Sequence, residues 1–303
     1  MTVARRRGYK YIQPEAVAKL GRFNLVAKSV VEGFVVGLHR SPYHGFSVEF
    51  SDHREYVPGD NLRDLDWIAY GRTDRFFIKR YEEETNLKAH ILLDTSASMG
   101  YRLKEEGLTK LEYACFLAAS LAYLMIRQQD SVGLITFDEK INNFIPAHST
   151  ASHLNRLLRT LEEIAPGKQT SISETFHKLA ENIKRRGLII VLSDLFDDQK
   201  EVMRGLSHFR QKKHEVIVFH ILDKAEREFP FDRLSDFIDM ETRERIQADP
   251  KYIREEYTRE VQEFIDSYRR DCFQNDVDFV DTDTAVPYEM MLAAYLTRRE
   301  RIR

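Results

Sequence analysis

Four short apolar runs rich in Val and Ile recur between residues 91 and 222, and helical periodicity follows each of them. The runs cover residues 91–93, 132–137, 188–192 and 216–222. Nearly unbroken apolar runs of this length are typical of strands that are buried on both faces of a parallel sheet. The alternation of strands and helices therefore predicts a doubly wound α/β sheet with helices on both faces.

The stretches between these runs predict amphipathic helices because their apolar residues recur at helical spacing. These helices are predicted over residues 111–127, 152–164, 173–186 and 200–212. Residues 141–146 predict one antiparallel edge strand. Beyond residue 223 we predict a small hairpin insertion near 236–248 (strands 237–240 and 243–246), a charged helix over 251–272, a strand over 277–280 and a closing helix over 288–301.

The first 86 residues have a different character. Pro14 suits the first turn of a helix, and loosely helical apolar spacing continues to about Gly33, so we predict an N-terminal helix. Residues 39–85 are dense in Arg, Asp, Glu and aromatics, contain the single Trp, Trp67, and predict short strands at 46–50 and 76–81. We therefore predict a charged, β-rich attachment over residues 1–86 and an α/β domain over residues 87–303.

Composition narrows the classes of protein. The 303 residues contain 46 Lys and Arg against 49 Asp and Glu, a net charge of −3, so we expect no nucleic-acid partner. The two cysteines, Cys115 and Cys272, exclude a disulfide scaffold. Charges interrupt every apolar stretch before the ~20 residues that a membrane span needs. No apolar segment follows the basic residues 5–7, so we expect no signal peptide and a cytoplasmic location.

Oxygen-bearing side chains follow two of the predicted strands, at the edge where ligands bind in open α/β sheets. Asp94, Ser96 and Ser98 follow the run 91–93 at spacings of two residues, and Asp194 follows the run 188–192 after one serine. Carboxylate and hydroxyl oxygens suit Mg²⁺ or Mn²⁺ and disfavour zinc. A single Ser or Asp in such a place is more often a helix cap, so only the combination favours a cation site.

This combination resembles the von Willebrand factor A domain and its metal-ion-dependent adhesion site. The residues that match its Asp-x-Ser-x-Ser motif, its loop threonine and its second aspartate are Asp94, Ser96, Ser98, Thr170 and Asp194. The loop reads Lys168-Gln169-Thr170 where the family usually has Gly-Gly-Thr, and Ser171 could take the role of the threonine. The resemblance implies a six-stranded, mostly parallel sheet and Mg²⁺ or Mn²⁺ at the site.

The segment upstream resembles the bacterial "domain of unknown function fifty-eight" family, whose members carry an A-like domain. The motifs are HRSP at 39–42, GFSVEF at 45–50, REY at 54–56, PGD at 58–60 and RDLDW at 63–67, and the resemblance covers about residues 33–300. Members accompany MoxR-type AAA+ ATPases, which implies an adaptor or a partner that presents substrates. Longer members have N-terminal membrane spans, and this chain resembles the short type without them.

Residues 39–85 allow two interpretations. Their charged residues predict an ion-pair and turn network, since loops need side chains to satisfy their backbone groups; the members are Arg54, Glu55, Asp60, Arg63, Asp64 and Asp66. Alternatively, the segment is a docking surface with Trp67 and Tyr70 as aromatic anchors. A zinc site at His39, His44 and His53 is disfavoured by their irregular spacing and the lack of nearby Cys.

The leading functional hypothesis is a non-enzymatic, divalent-cation-dependent protein-binding module, in which a carboxylate of a client or partner completes the cation site. The alternative is a magnesium-dependent phosphatase or nuclease with Asp94 as nucleophile. Ser96, however, stands where a haloacid-dehalogenase-like phosphatase has a second Asp. A serine hydrolase is disfavoured because Gly-x-Ser-x-Gly is absent. A structural scaffold with an empty site is the third possibility.

Overall fold

The described part of the chain forms two compact units in this computed structural model. The structure describes residues 48–57, 65–83, 87–104, 107–167 and 172–301. One unit lies within residues 32–86, and the other contains residues 87–303. The predicted N-terminal helix lies outside the described residues, and the predicted domain boundaries stay a prediction.

The smaller unit is an antiparallel pair of strands with a helix between them in the chain. The elements are β1 (Val48–Glu55), α1 (Trp67–Thr73) and β2 (Phe77–Glu83). The two strands were predicted, but α1 was not, because its polar surroundings indicate turns. Asp66 stabilises the start of α1, since its Oδ1 accepts a hydrogen bond of 3.0 Å from the amide of Ala69.

Three described aromatic residues of the smaller unit, Trp67, Tyr70 and Phe76, lie together. Tyr70 stacks on Phe76 with 4.4 Å between ring centroids, and Trp67 meets Tyr70 edge to face at 6.4 Å. Trp67 is 64% exposed. Most members of the proposed ion-pair network lie outside the described residues, namely Asp60, Arg63, Asp64 and the side chain of Arg54. His39 and His44 also lie outside them. Both interpretations of this segment therefore stay predictions.

The larger unit is built on one six-stranded sheet and a separate hairpin. Its strands are β3 (Lys88–Asp94), β4 (Ser131–Phe137), β5 (Ile141–His148), β6 (Leu188–Ser193), β7 (Glu215–Leu222), β8 (Ser235–Ile238), β9 (Arg245–Ala248) and β10 (Val277–Asp283). The sheet order is β10-β7-β6-β3-β4-β5, and β8 pairs with β9. All neighbours in the sheet are parallel except β4 and β5. The predicted fold class, including the antiparallel edge strand, is confirmed.

The strand order places a crevice between β3 and β6. From β3 the chain moves outward to β4 and β5, then returns to the other side of β3 and moves outward again through β6, β7 and β10. In such sheets ligands bind beyond the carboxyl ends of the strands where the order reverses. These ends are Asp94 on β3 and Ser193 on β6.

Seven helices of the larger unit are described. They are α2 (Lys110–Arg127), α3 (Ala151–Glu163), α4 (Ile172–Asn182), α5 (Gln199–Gln211), α6 (Lys224–Glu228), α7 (Pro250–Gln274) and α8 (Tyr288–Arg301). The short helix α6 was not predicted; it begins at a capping box formed by Asp223 and Glu226. Among the described residues, no helix combines the length and the apolar character needed to cross a membrane.

The helices cover both faces of the sheet. Val191 and Val218 belong to a buried cluster with Phe176 of α4, Leu206 of α5 and Tyr268 of α7. Because successive side chains of a strand point to opposite faces, the neighbouring residues face the other way. There, Phe219 of β7 meets Tyr295 of α8 at 5.4 Å, and Tyr288 of α8 stacks on Phe116 of α2 at 5.0 Å. The sheet is therefore buried on both sides.

Both strands of the hairpin lie two residues further from its turn than predicted, while Phe237 still pairs with Ile246. The predicted strands 237–240 and 243–246 are Ser235–Ile238 and Arg245–Ala248 in the structure. The reason is a turn at Asp239, whose Oδ1 accepts hydrogen bonds from the amides of Glu241 and Thr242 at 2.8 and 2.6 Å. This side chain closes the turn early, so Asp239 and Met240 leave the strand.

Candidate functional site

Asp94 is held in one orientation at the carboxyl end of β3. Its side chain is fully buried, with 0% exposure. The amide of Ser96 donates to Oδ1 at 2.9 Å, and the hydroxyl of Ser193 donates to Oδ2 at 2.6 Å. Each carboxylate oxygen has a second lone pair, so Asp94 keeps the capacity to bind a cation.

The hydroxyls of Ser96 and Ser98 lie together in the segment that follows Asp94. Their oxygens are 3.0 Å apart. Adjacent ligands of an octahedral Mg²⁺ with bonds of about 2.1 Å are about 3.0 Å apart, so this spacing fits two neighbouring ligand positions. Helix capping does not explain the two serines: the turn Ser98–Gly100 has no side-chain cap, and Thr109 caps α2.

Asp194 follows β6 and lies next to the same crevice. Its Oδ2 accepts a hydrogen bond of 2.7 Å from Nζ of Lys110, and its Oδ1 accepts one of 3.3 Å from the amide of Phe196. It does not cap the following helix α5, because Asp198 does. The next residue, Leu195, has a φ of 56°, a conformation that costs a bulky residue free energy and that clusters at functional sites.

Lys110 is a buried cation between two carboxylates. It is the first residue of α2, its side chain is 0% exposed, and Nζ also donates to Oε1 of Glu226 at 2.6 Å. The ring of Phe196 lies 4.8 Å from Nζ. Lys110 therefore connects α2, the loop after β6 and α6.

The charges of this cluster influence each other. Burial raises the pKa of Asp94 to about 7, and the charge of Asp194 adds to this effect. Burial lowers the pKa of Lys110, but Asp194 and Glu226 outweigh burial, so its pKa is raised above the usual range. Burial also raises the pKa of Glu226, although Lys110 opposes the shift. The lysine is thus charged at neutral pH.

His220 supports the backbone at Asp194. Its Nε2 lies 2.9 Å from the carbonyl oxygen of Asp194, so Nε2 carries the proton and donates. The ring lies among Phe264, Tyr268 and Phe279. Burial lowers the pKa of His220 to about 4, so the ring is neutral at physiological pH. The histidine fixes the backbone of the second aspartate without adding charge.

Thr170, the predicted loop ligand, and its competitor Ser171 lie outside the described residues. The described residues on either side are tied to the two segments that hold the aspartates. The amide of Gly167 donates to the carbonyl oxygen of Thr95 at 2.6 Å, and the amide of Ile172 donates to Oδ2 of Asp197 at 2.9 Å. A Cβ on Gly167 would overlap Oδ2 of Asp138, so a larger residue at this position requires the Asp138 carboxylate to move.

The hairpin of β8 and β9 borders residues 95–100, the segment after β3 that carries the two serines and that we call the motif loop. A Cβ on Gly100 would lie 3.0 Å from Cγ of Pro166 and 3.5 Å from Cε of Met240. Pro166 precedes the loop with Thr170, and Met240 belongs to the hairpin turn. The motif loop is therefore flanked by both segments.

The structure brings four of the five predicted residues to neighbouring segments, because Asp94, Ser96 and Ser98 follow β3 and Asp194 follows β6. Sequence reasoning missed Ser193, Lys110, Glu226 and His220. A polar residue at the end of an apolar strand was a usable signal for Ser193. Lys110 gave none, because its partners lie 84 and 116 residues further along the chain.

The described residues contain no group of three or more His, Cys, Asp and Glu side chains that could hold a metal ion. The candidate site is of another kind, since it combines two carboxylates with serine hydroxyls. Such an oxygen set matches the preference of hard cations for oxygen ligands. The residues present thus fit Mg²⁺ or Mn²⁺, and the cation itself stays a prediction.

Comparisons with known proteins identify a family and a relative of this chain. A family model described as "Protein of unknown function DUF58" matches residues 52–264. An uncharacterized protein of Mycobacterium tuberculosis is 26% identical over 220 residues, which cover 72% of this chain and 68% of that protein.

Two solved structures are also similar. The conserved hypothetical protein BatB from Bacteroides thetaiotaomicron is 18% identical, with a TM-score of 0.45, over 71% of this chain and 99% of that chain. A von Willebrand factor type A protein from Catenulispora acidiphila is 9% identical, with a TM-score of 0.34, over 47% of this chain and 34% of that chain. The sheet is six-stranded and mostly parallel, as the resemblance to the von Willebrand factor A domain implies.

Proposed function

The chain belongs to the DUF58 family, and on that premise we propose that it is a non-enzymatic protein-binding module that captures its partner through a divalent cation. The cation is Mg²⁺ or Mn²⁺, and its ligands come from Asp94, Ser96, Ser98, Thr170 and Asp194. A carboxylate of the partner would supply a further ligand. The bound cation would supply a positive charge that the partner recognises.

One observation supports this proposal above the others: a buried, oriented carboxylate lies beside two hydroxyls whose oxygens are 3.0 Å apart. Serine hydroxyls are weak ligands that carry no charge. A cation held by them and few carboxylates keeps much of its charge for an incoming acidic group. The arrangement favours binding through the cation.

The surroundings of Asp94 support a binding role more than catalysis. In the described structure its hydrogen-bond partners are the amide of Ser96 and the hydroxyl of Ser193. A phosphatase that uses Asp94 as nucleophile would need an acid beside it that protonates the leaving group. Asp194, which follows the neighbouring strand β6, instead binds the Lys110 ammonium through Oδ2 and the amide of Phe196 through Oδ1.

Calorimetric titration with Mg²⁺ and Mn²⁺ tests the cation site. We expect saturable binding to the wild type at up to millimolar concentration, and loss of binding in Asp94→Ala. The matched control is Asp130→Asn, which removes another buried carboxylate just before β4, at the amino ends of the strands and not at the carboxyl ends that bear the site. Equal binding by Asp94→Ala and the wild type would exclude the proposed site.

We propose that the partner is a MoxR-type AAA+ ATPase, as the family resemblance implies, with this chain as adaptor. Purification of the native complex with Mg²⁺ and with a chelator tests this step. We expect the ATPase to be retained only with Mg²⁺, and to be lost in Asp94→Ala under both conditions. Retention of the ATPase in the presence of chelator would contradict capture through the cation.

Turnover of a generic phosphoester tests the enzymatic alternative in the same preparations. We expect none above the level of Asp94→Asn. Turnover that is present in the wild type and absent in Asp94→Asn would replace the binding proposal with a phosphatase.

A further inference from the structure

Lys110 is a fully buried lysine that contacts the candidate cation site, and capture of a partner through the cation does not use it. Its Nζ donates to Oδ2 of Asp194 at 2.7 Å and to Oε1 of Glu226 at 2.6 Å. We propose that this ammonium is a resident positive charge that competes with the divalent cation for Asp194 and keeps the cation affinity low. The inference rests on the proposed function, because it concerns the same cation.

The position of Lys110 is unfavourable for a positive charge on two grounds. It is the first residue of α2, where the helix macrodipole carries its positive end. Its side chain is 0% exposed, and burial disfavours an ammonium. The two carboxylates are therefore what keeps the lysine in place, and the lysine in turn neutralises part of their charge.

Asp194 has little free charge to offer. Oδ2 is bonded to the ammonium, and Oδ1 accepts the amide of Phe196 at 3.3 Å. A divalent cation that uses Asp194 must share the carboxylate with the ammonium, and like charges repel strongly where water is excluded. Among the candidate ligands, Asp94 then remains the carboxylate without a cationic partner in the described structure, since it accepts from the amide of Ser96 and the hydroxyl of Ser193.

A weakly held cation has a consequence for capture. The cation keeps more of its charge for the carboxylate of a partner. The factor by which the cation raises the affinity for the partner equals the factor by which the partner raises the affinity for the cation. Lys110 would thus make occupancy of the site depend on the partner. In this role Lys110 is a positioning and charge-balancing residue, not a cation ligand.

Three variants separate this role from a merely structural one. Lys110→Met removes the ammonium and keeps the length of an apolar side chain. Lys110→Met combined with Glu226→Gln removes one charge of each sign, so the net charge of the protein is unchanged. Lys178→Met is the matched control, because Lys178 pairs with Glu174 on the exposed face of α4.

We expect Mn²⁺ to bind Lys110→Met at least about tenfold more tightly than it binds the wild type in calorimetric titration, because the competing charge is gone. The double variant should also bind Mn²⁺ more tightly than the wild type, and Lys178→Met should equal the wild type. In thermal unfolding without cation, Lys110→Met should be destabilised, because the buried carboxylate of Asp194 and the partly buried one of Glu226 lose their partner. Mn²⁺ should restore most of that loss.

The outcomes distinguish this inference from the proposed function. If the wild type binds Mn²⁺ but Lys110→Met and the double variant bind it equally or more weakly, Lys110 only holds Asp194 in place and the inference is wrong. If Lys110→Met does not fold, the double variant decides in the same way. If neither the wild type nor the variants bind Mn²⁺ at millimolar concentration, the proposed cation site fails, and the inference fails with it.

Discussion

The hydroxyl of Ser193 donates a hydrogen bond of 2.6 Å to Oδ2 of Asp94, across 99 positions of the chain. Ser193 is the last residue of β6, and Asp94 is the last residue of β3. The same hydroxyl accepts the amide of Leu195 at 2.9 Å. One buried serine therefore orients the first aspartate and the backbone that follows the second.

Replacement of Ser193 by Ala should lower the free energy of unfolding by about 1–3 kcal/mol, because a buried carboxylate oxygen and a buried amide both lose their partner. Urea denaturation measures the loss. The control is Ser207→Ala, which removes a half-buried hydroxyl that bonds to Asn275 at 2.9 Å, away from the site. We expect a smaller loss there, and equal losses would show that Ser193 is an ordinary buried serine.

Cation binding should weaken below about pH 7. The pKa of Asp94 is raised to about 7 by burial and by Asp194, and a protonated carboxyl binds cations poorly. Affinity should therefore fall about tenfold per pH unit below the pKa, as the charged fraction does. Calorimetric titration with Mn²⁺ at several pH values from about 5.5 to about 8 measures this slope. A flat profile in this range would contradict a raised pKa for Asp94.

Asp130→Asn should stabilise the protein in a pH-dependent way. Burial raises the pKa of Asp130 to about 7, Oδ1 accepts the amide of Leu87 at 3.2 Å, and Oδ2 has no hydrogen-bond partner in the described structure. Below its unfolded pKa of about 4, both states hold the proton. Between about pH 4 and 7 only the folded state holds it, so wild-type stability falls as pH rises through this window.

The asparagine keeps an acceptor for Leu87 but does not ionise. The variant should therefore gain on the order of 1–3 kcal/mol over the wild type at pH 8, and the gain should shrink towards pH 4. Denaturation at several pH values measures the difference. A difference that does not change with pH would show that Asp130 is not protonated in the folded state.

Gly167→Ala should disturb the segment before the loop with Thr170. The added Cβ would overlap the Asp138 carboxylate and lie 3.1 Å from the carbonyl oxygen of Thr95. We expect weaker Mn²⁺ binding and a melting temperature lower by a few degrees, as a loss of about 1 kcal/mol produces.

The control for this glycine is Gly71→Ala in helix α1, where an added Cβ meets no atom within 4 Å. Alanine favours a helix by about 1 kcal/mol over glycine, so this variant should leave Mn²⁺ binding unchanged and not lower stability. If Gly167→Ala also left both quantities unchanged, the close approach at Gly167 would have no role.

The sequence predicts the sheet well because a strand that is buried on both faces is a continuous apolar run in the local sequence. The runs that became β4, β6 and β7 are apolar almost without interruption, and no distant residue is needed to recognise them. The Asp-x-Ser-x-Ser motif is equally local. It places Asp94 and the two serines on one turn as soon as the preceding strand is recognised.

The parts that escaped prediction depend on distant residues or on turn chemistry. Lys110 begins a mostly apolar helix, and its partners Asp194 and Glu226 come from two distant segments that the local pattern does not reveal. Helix α1 lies among polar residues that equally suit turns. The hairpin strands lie two residues further from the turn than predicted because the side chain of Asp239 binds two backbone amides. Apolar patterning does not reveal this effect.

The strand β3 pairs with β4, which follows it in the chain, and with β6, which begins 188 − 88 = 100 residues later. Contacts of such long sequence separation form late, because closing a long loop costs entropy before any contact repays it. As the chain leaves the ribosome, β3, β4 and β5 emerge first and β6 much later. The two aspartates therefore come together only after synthesis has passed residue 194, and the proposed site would be incomplete in any shorter nascent chain.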